Sequence, residues 1–204
     1  MPCSLTNENP NPQDNNGITP IHIAVSKGHW YSFEALIHAT KKAGFEVNIP
    51  DNNGETPLHL AAQNNQYNII KILLNQTSGT PNPQDMNGTT PLHIAASKGY
   101  WYSLVPLVNA IQSSDVPMNP SDMNGDTPLH LAAENGYYDI FELLMSKTCY
   151  DADINPKNNN GTTPLFLAVQ NGYTGIANLI TNSNCNDAHE NKSFNTTTDI
   201  DEIE

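Results

Sequence analysis

Four histidines, His22, His59, His93 and His130, follow one another at intervals of 37, 34 and 37 residues. Imidazole is a common zinc ligand and the side chain best suited to proton transfer near neutral pH. Four in register would therefore be the natural place to look for a metal or a catalytic centre. Each stands in the same frame: Thr19-Pro20-Ile21-His22, Thr56-Pro57-Leu58-His59, Thr90-Pro91-Leu92-His93 and Thr127-Pro128-Leu129-His130. A fifth frame, Thr163-Pro164-Leu165-Phe166, has phenylalanine in place of histidine. One histidine per frame is a pattern of copies. Stacked copies hold equivalent residues about one helix diameter, ~10 Å, apart, whereas zinc ligands lie ~2.1 Å from the ion. The four cannot converge, so a structural role is expected for them, with no metal and no cofactor.

The remaining reactive residues offer little more. Cys3, Cys149 and Cys185 are odd in number and far apart, which suits neither a disulfide framework nor a metal site. The chain contains no G-x-S-x-G, G-x-x-x-x-G-K or G-x-G-x-x-G, so no nucleophile elbow, phosphate loop or dinucleotide turn is indicated. No catalytic residue is assigned, and the expectation is a protein that is not an enzyme.

The elements that position these frames repeat with them. An Asn-Gly pair precedes each anchor, at 16–17, 53–54, 87–88, 124–125 and 160–161, a strong tight-turn signal. The threonine can cap a helix and the proline suits its first position. A residue tolerant of positive φ then ends the short helix: Gly28, Asn65, Gly99, Gly136 and Gly172. A second helix follows, clearest where Ile140, Phe141, Leu143, Leu144 and Met145 make an apolar stripe. Above this period lies a longer one. Residues 14–37 match 85–108 at 15 of 24 positions and 51–74 match 122–145 at 14, against 9 for the neighbours 14–37 and 51–74. A two-unit block has been copied at an offset of 71 residues.

Composition limits the partners. Net charge is −13, charged residues make up 14%, and all eight basic residues are lysine. Without arginine, and with a repelling field, nucleic acid and anionic membranes are poor partners. Asparagine, at 29 residues, is the abundant type. Its by-products are five glycosylation-type triplets, at Asn75, Asn87, Asn160, Asn191 and Asn195. The N-terminus has neither a basic start nor an apolar run, and no stretch approaches ~18 apolar residues. A cytoplasmic monomer is expected.

The pattern D-x-x-G-x-T-P-L-H-x-A-A-x-x-G followed by a second helix resembles the ankyrin repeat over about residues 10–185. The resemblance implies an all-α ankyrin-repeat solenoid of about five helix-turn-helix units joined by short β-turn or hairpin connections. The expected division is a link at 1–13, repeats at 14–186 (units near 14–50, 51–84, 85–121, 122–157 and 158–186), and a disordered acidic tail at 187–204. It also implies non-catalytic binding of a protein partner on a concave face built from turn tips and first helices. Carried over by position, the tip contacts are Asn15, Ile18, Asn52, Glu55, Met86, Thr89, Met123, Asp126, Asn159 and Thr162. The first-helix contacts are Ser26, Lys27, Gln63, Asn64, Ser97, Lys98, Glu134, Asn135, Gln170 and Asn171.

Departures from the family pattern carry further expectations. Units exceed 33 residues, with the extra ones placed after the second helix, as at Ala39–Ala43 and Cys149–Asp151. Pro106 should either fall in the first turn of a helix capped by Ser103 or kink a longer one. Trp30 and Trp101 fall where the family usually buries leucine and are expected between units, with Tyr31 and Tyr102 facing solvent. Pro10–Gly17 copies 81–88 without preceding helices, so Ile21, Ile23 and Val25 should lack a neighbour. That leaves two rival functions: a fragment of a larger multidomain protein whose activity lies elsewhere, or a secreted effector binding host proteins.

Overall fold

The computed structural model describes residues 9–76, 79–148 and 153–183. Cys3, Cys149, Cys185, the 187–204 tail and the triplets at Asn191 and Asn195 lie outside them. Among the described residues ten helices form five antiparallel pairs. The first of each pair are α1 (Pro20–Ser26), α3 (Pro57–Gln63), α5 (Pro91–Lys98), α7 (Pro128–Asn135) and α9 (Pro164–Gln170). Their partners are α2 (Trp30–Lys42), α4 (Tyr67–Gln76), α6 (Trp101–Gln112), α8 (Tyr138–Thr148) and α10 (Thr174–Asn182). First helices pack on first helices along the whole array, and α4, α6, α8 and α10 form a second layer behind them. No strand occurs among the described residues; turns, not hairpins, connect the pairs.

Each first helix starts as its sequence dictates. Proline fills the first position, where its missing donor costs nothing. The hydroxyls of Thr19, Thr90 and Thr163 accept from the third-position amides of His22, His93 and Phe166. Helix one is kept thin by Ala61 and Ala62, Ala95 and Ala96, and Ala132 and Ala133, all fully buried, so that neighbouring backbones approach. The five turn-forming positions have φ between 54° (Asn65) and 78° (Gly172). Behind them Phe33, Ile70, Leu73, Leu104, Leu107, Phe141 and Leu144 fill a continuous core between the layers.

Several expectations need correction. The extra residues of unit one lengthen α2 instead of following it: Ala39 to Lys42 are helical, giving 13 residues against 10 in α4. Helix α6 begins at Trp101 and carries Pro106 inside it, while Ser103 is buried within the helix and caps nothing. Proline there withholds an amide from the Tyr102 carbonyl, which sits on an exposed turn. Trp30 is half-buried and Trp101 40% exposed, because each opens its helix at the solvent boundary. Trp30 leans on Phe33, with ring centroids 6.1 Å apart. Tyr31 and Tyr102 do face solvent. Ile21 and Val25 are fully buried; only Ile23, at 53%, is open. The apolar residues left uncovered at an end belong instead to α9, where Phe166 is 57% and Val169 63% exposed.

Candidate functional site

The turn tips form one edge of the stack. In the first, Asp14 Oδ1 accepts from the amides of Asn16 and Ile18, both at 2.8 Å. Asp51, Asp85, Asp122 and Asn158 repeat that pair of bonds. Tip is tied to tip by backbone: Asn52, Met86, Met123 and Asn159 donate their amides to the carbonyls of Asn16, Asn53, Asn87 and Asn124, at 2.8–2.9 Å. The side chains of Asn52 and Asn159 donate as well, to the carbonyls of Asn15 and Met123. Methionine at 86 and 123 has no such bond to make and stands 68% exposed.

The four histidines lie just beneath. In each, the frame threonine's amide donates to Nδ1 at 3.1–3.2 Å. Nε2 faces a carbonyl of the next unit, Glu55, Thr89, Asp126 or Thr162, at 3.0–3.1 Å. An amide can only donate and a carbonyl only accept, so each ring is the neutral tautomer with its proton on Nε2. Burial holds His22, His59 and His93 below the usual imidazole value, outweighing the carbonyl bonds and the nearby aspartates. Burial likewise pushes the Glu55 carboxyl up, assisted by Asp51 and Asp85. Each histidine commits Nδ1 to its own unit and Nε2 to the next. No group of three or more His, Cys, Asp or Glu able to hold a metal occurs among the described residues.

The twenty candidate contacts share this edge and the first helices. Asn15, Ser26, Lys27, Asn52, Gln63, Asn64, Met86, Lys98, Met123, Glu134, Asn135, Asn159, Gln170 and Asn171 are exposed. Ile18, Glu55, Thr89, Ser97, Asp126 and Thr162 are half-buried. Four of these six, Glu55, Thr89, Asp126 and Thr162, give their carbonyls to histidines, and Asp126 also gives a carboxylate oxygen to Asn158. Beside Ile23 and Lys27, the residues Ile18, Asp51, Glu55 and Leu60 line an open groove of about 220 Å³.

One structural device went unread in the sequence. Asn11, Asn48, Asn82, Asn119 and Asn155 each turn Oδ1 onto the second amide of a first helix, Ile21, Leu58, Leu92, Leu129 or Leu165, at 2.9–3.4 Å. An asparagine eight residues before every frame threonine was the available signal.

These features define a class first: a stack of helix pairs clasped unit to unit along one edge. A family model described as ankyrin repeats, in three copies, matches residues 3–85, 32–108, 75–158 and 103–192, and the chain belongs to the ankyrin repeat family. Members are generally protein-interaction modules and typically non-catalytic. No curated protein sequence matches the chain. No helix among the described residues is long and apolar enough to cross a membrane.

Proposed function

We propose that this protein is a non-catalytic interaction module, acting as a cytoplasmic monomer, that binds a protein partner through its turn tips and first helices. The observation that carries this reading is the edge itself. Its backbone is fixed unit by unit through hydrogen bonds, while Met86 and Met123 extend 68% exposed from adjacent tips. A rigid frame carrying adaptable apolar side chains suits recognition of another protein, since little ordering entropy is lost on binding. The test is site-specific photo-crosslinking in the native lysate, with the reactive group at 86, 123 or 64 and, for comparison, at 34 or 71 on second helices. Adducts formed from the tip and first-helix positions alone support the assignment. Adducts confined to second-helix positions refute it.

A further inference from the structure

The second helices carry a feature that a contact surface of turn tips and first helices leaves unused. Helices α2, α4, α6 and α8 open with Trp30, Tyr67, Trp101 and Tyr138. In the first copy of the block the chain supplies its own cation to this aromatic row: Lys71 Nζ lies over the Tyr67 ring, 5.4 Å from its centroid. In the second copy the residue equivalent to Lys71, 71 positions on, is Glu142, and the equivalent of Asn68 is Asp139. Trp101, Asp139, Glu142, Leu143 and Ser146 line an open groove of about 420 Å³ between α6 and α8. Asp139 and Glu142 stand three apart and so share a helix face, both exposed, and among the described residues no hydrogen bond or ion pair occupies either carboxylate.

An indole and two carboxylates lining one groove are complementary to a flat cation. A guanidinium can stack on the ring while its donors reach a carboxylate, which a compact ammonium does less well. The chain has no arginine of its own and a net charge of −13, so the cation must come from outside and would be drawn in. Asp139 also suits the first turn of α8 electrostatically, but that role does not call for Glu142 or for an exposed tryptophan alongside. We propose that the Trp101–Asp139–Glu142 groove is a second recognition site, taking an arginine side chain of a partner protein on the face formed by the second helices.

The internal copy makes the test clean, because the chain's two tryptophans sit in the two copies. Uniformly ¹⁵N-labelled protein is titrated with a hexa-arginine peptide, and the two indole N–H signals are followed, assigned through Trp30→Phe. The expected result is a saturable shift of Trp101 with Trp30 still. Glu142→Gln should weaken the affinity about fivefold, and Asp139→Asn with Glu142→Gln should abolish the shift, in protein whose circular dichroism is unchanged. Both substituted residues are exposed, so the fold is not at stake. Equal movement of the two indoles, no movement of either, or a Trp101 shift that survives the double substitution would each overturn the proposal.

Discussion

The copied block lets two junctions be compared, unit two on unit three and unit four on unit five. At the tip edge they are alike: His59 reaches the Thr89 carbonyl and His130 the Thr162 carbonyl, both at 3.1 Å. At the far end of the first helix they part. In the first junction Asn65 takes the left-handed conformation and its Oδ1 accepts from the buried Ser103 hydroxyl at 2.7 Å. In the second, Gly136 takes that conformation, the Tyr173 ring lies where its Cβ would be, and the counterpart of Ser103 is the buried apolar Ile176. The two junctions share the clasp and differ at the distal contact, which is polar in the first and apolar in the second. Register is held at one edge, which leaves the other free to vary.

If the clasp is common to both junctions, breaking it should cost the same in each. His59→Ala and His130→Ala each strand a buried threonine amide and a carbonyl of the next unit. At about 1–3 kcal/mol per orphaned group, each should destabilise by roughly 3 kcal/mol in urea unfolding. A large difference between them would break the comparison. Phe166→Ala, at the exposed equivalent position, should move stability by less than about 0.5 kcal/mol.

The distal contacts should respond unequally. A Cβ at Gly136 would meet the Tyr173 ring at 2.4 Å on a backbone at φ 74°. Gly136→Ala should therefore cost about 2 kcal/mol or more. Asn65→Ala adds no new Cβ; it strands the buried Ser103 hydroxyl and places a residue less at ease than asparagine at φ 54°, and should cost about 1–2 kcal/mol. Thermal melts of the two variants side by side rank them.

Acid should loosen the shared edge. His22, His59 and His93 sit below the imidazole value in the folded state, while the unfolded chain titrates near 6.5. Below that value the unfolded chain binds more protons, so stability is full above about pH 7 and declines as pH falls from 6.5 toward the folded values. Denaturation midpoints at pH 7.5 and 5.5 should show the fall. Repeating them in Glu55→Gln removes a carboxyl whose raised pKa opposes the trend.

The clasped edge was legible in the sequence because its parts are fixed by type and spacing. Threonine, proline and histidine recur in one frame, and only residues tolerant of positive φ follow the first helix. The asparagine that caps each first helix from ten residues away recurs as regularly, yet stood unnoticed among 29 asparagines. The second-helix layer was harder to read. Where Trp101 ends up depends on its being the first residue of α6, and helix starts are set by hydrogen bonds that composition only hints at. At Ile21 the preceding link contributes Asn11, itself fully buried, which accepts from the Ile21 amide.

The smallest expected effect decides why Asn65 differs from glycine. From sequence, asparagine there is only a residue that the left-handed backbone tolerates. On that basis Asn65→Gly should stabilise slightly, by relieving less than about 1 kcal/mol of backbone strain. The structure adds an opposing contribution: Ser103 is fully buried, and glycine would leave its hydroxyl without the Asn65 acceptor, at about 1–2 kcal/mol. The second effect is the larger, so Asn65→Gly should destabilise by a few tenths to about 1 kcal/mol. Ser103→Ala removes the stranded donor along with its partner, so Asn65→Gly should become neutral or stabilising in that background. A double-mutant cycle in urea measures the coupling directly. If Asn65→Gly stabilises the wild-type chain as much as it stabilises Ser103→Ala, asparagine at this junction is a tolerated substitution and the polar contact contributes nothing.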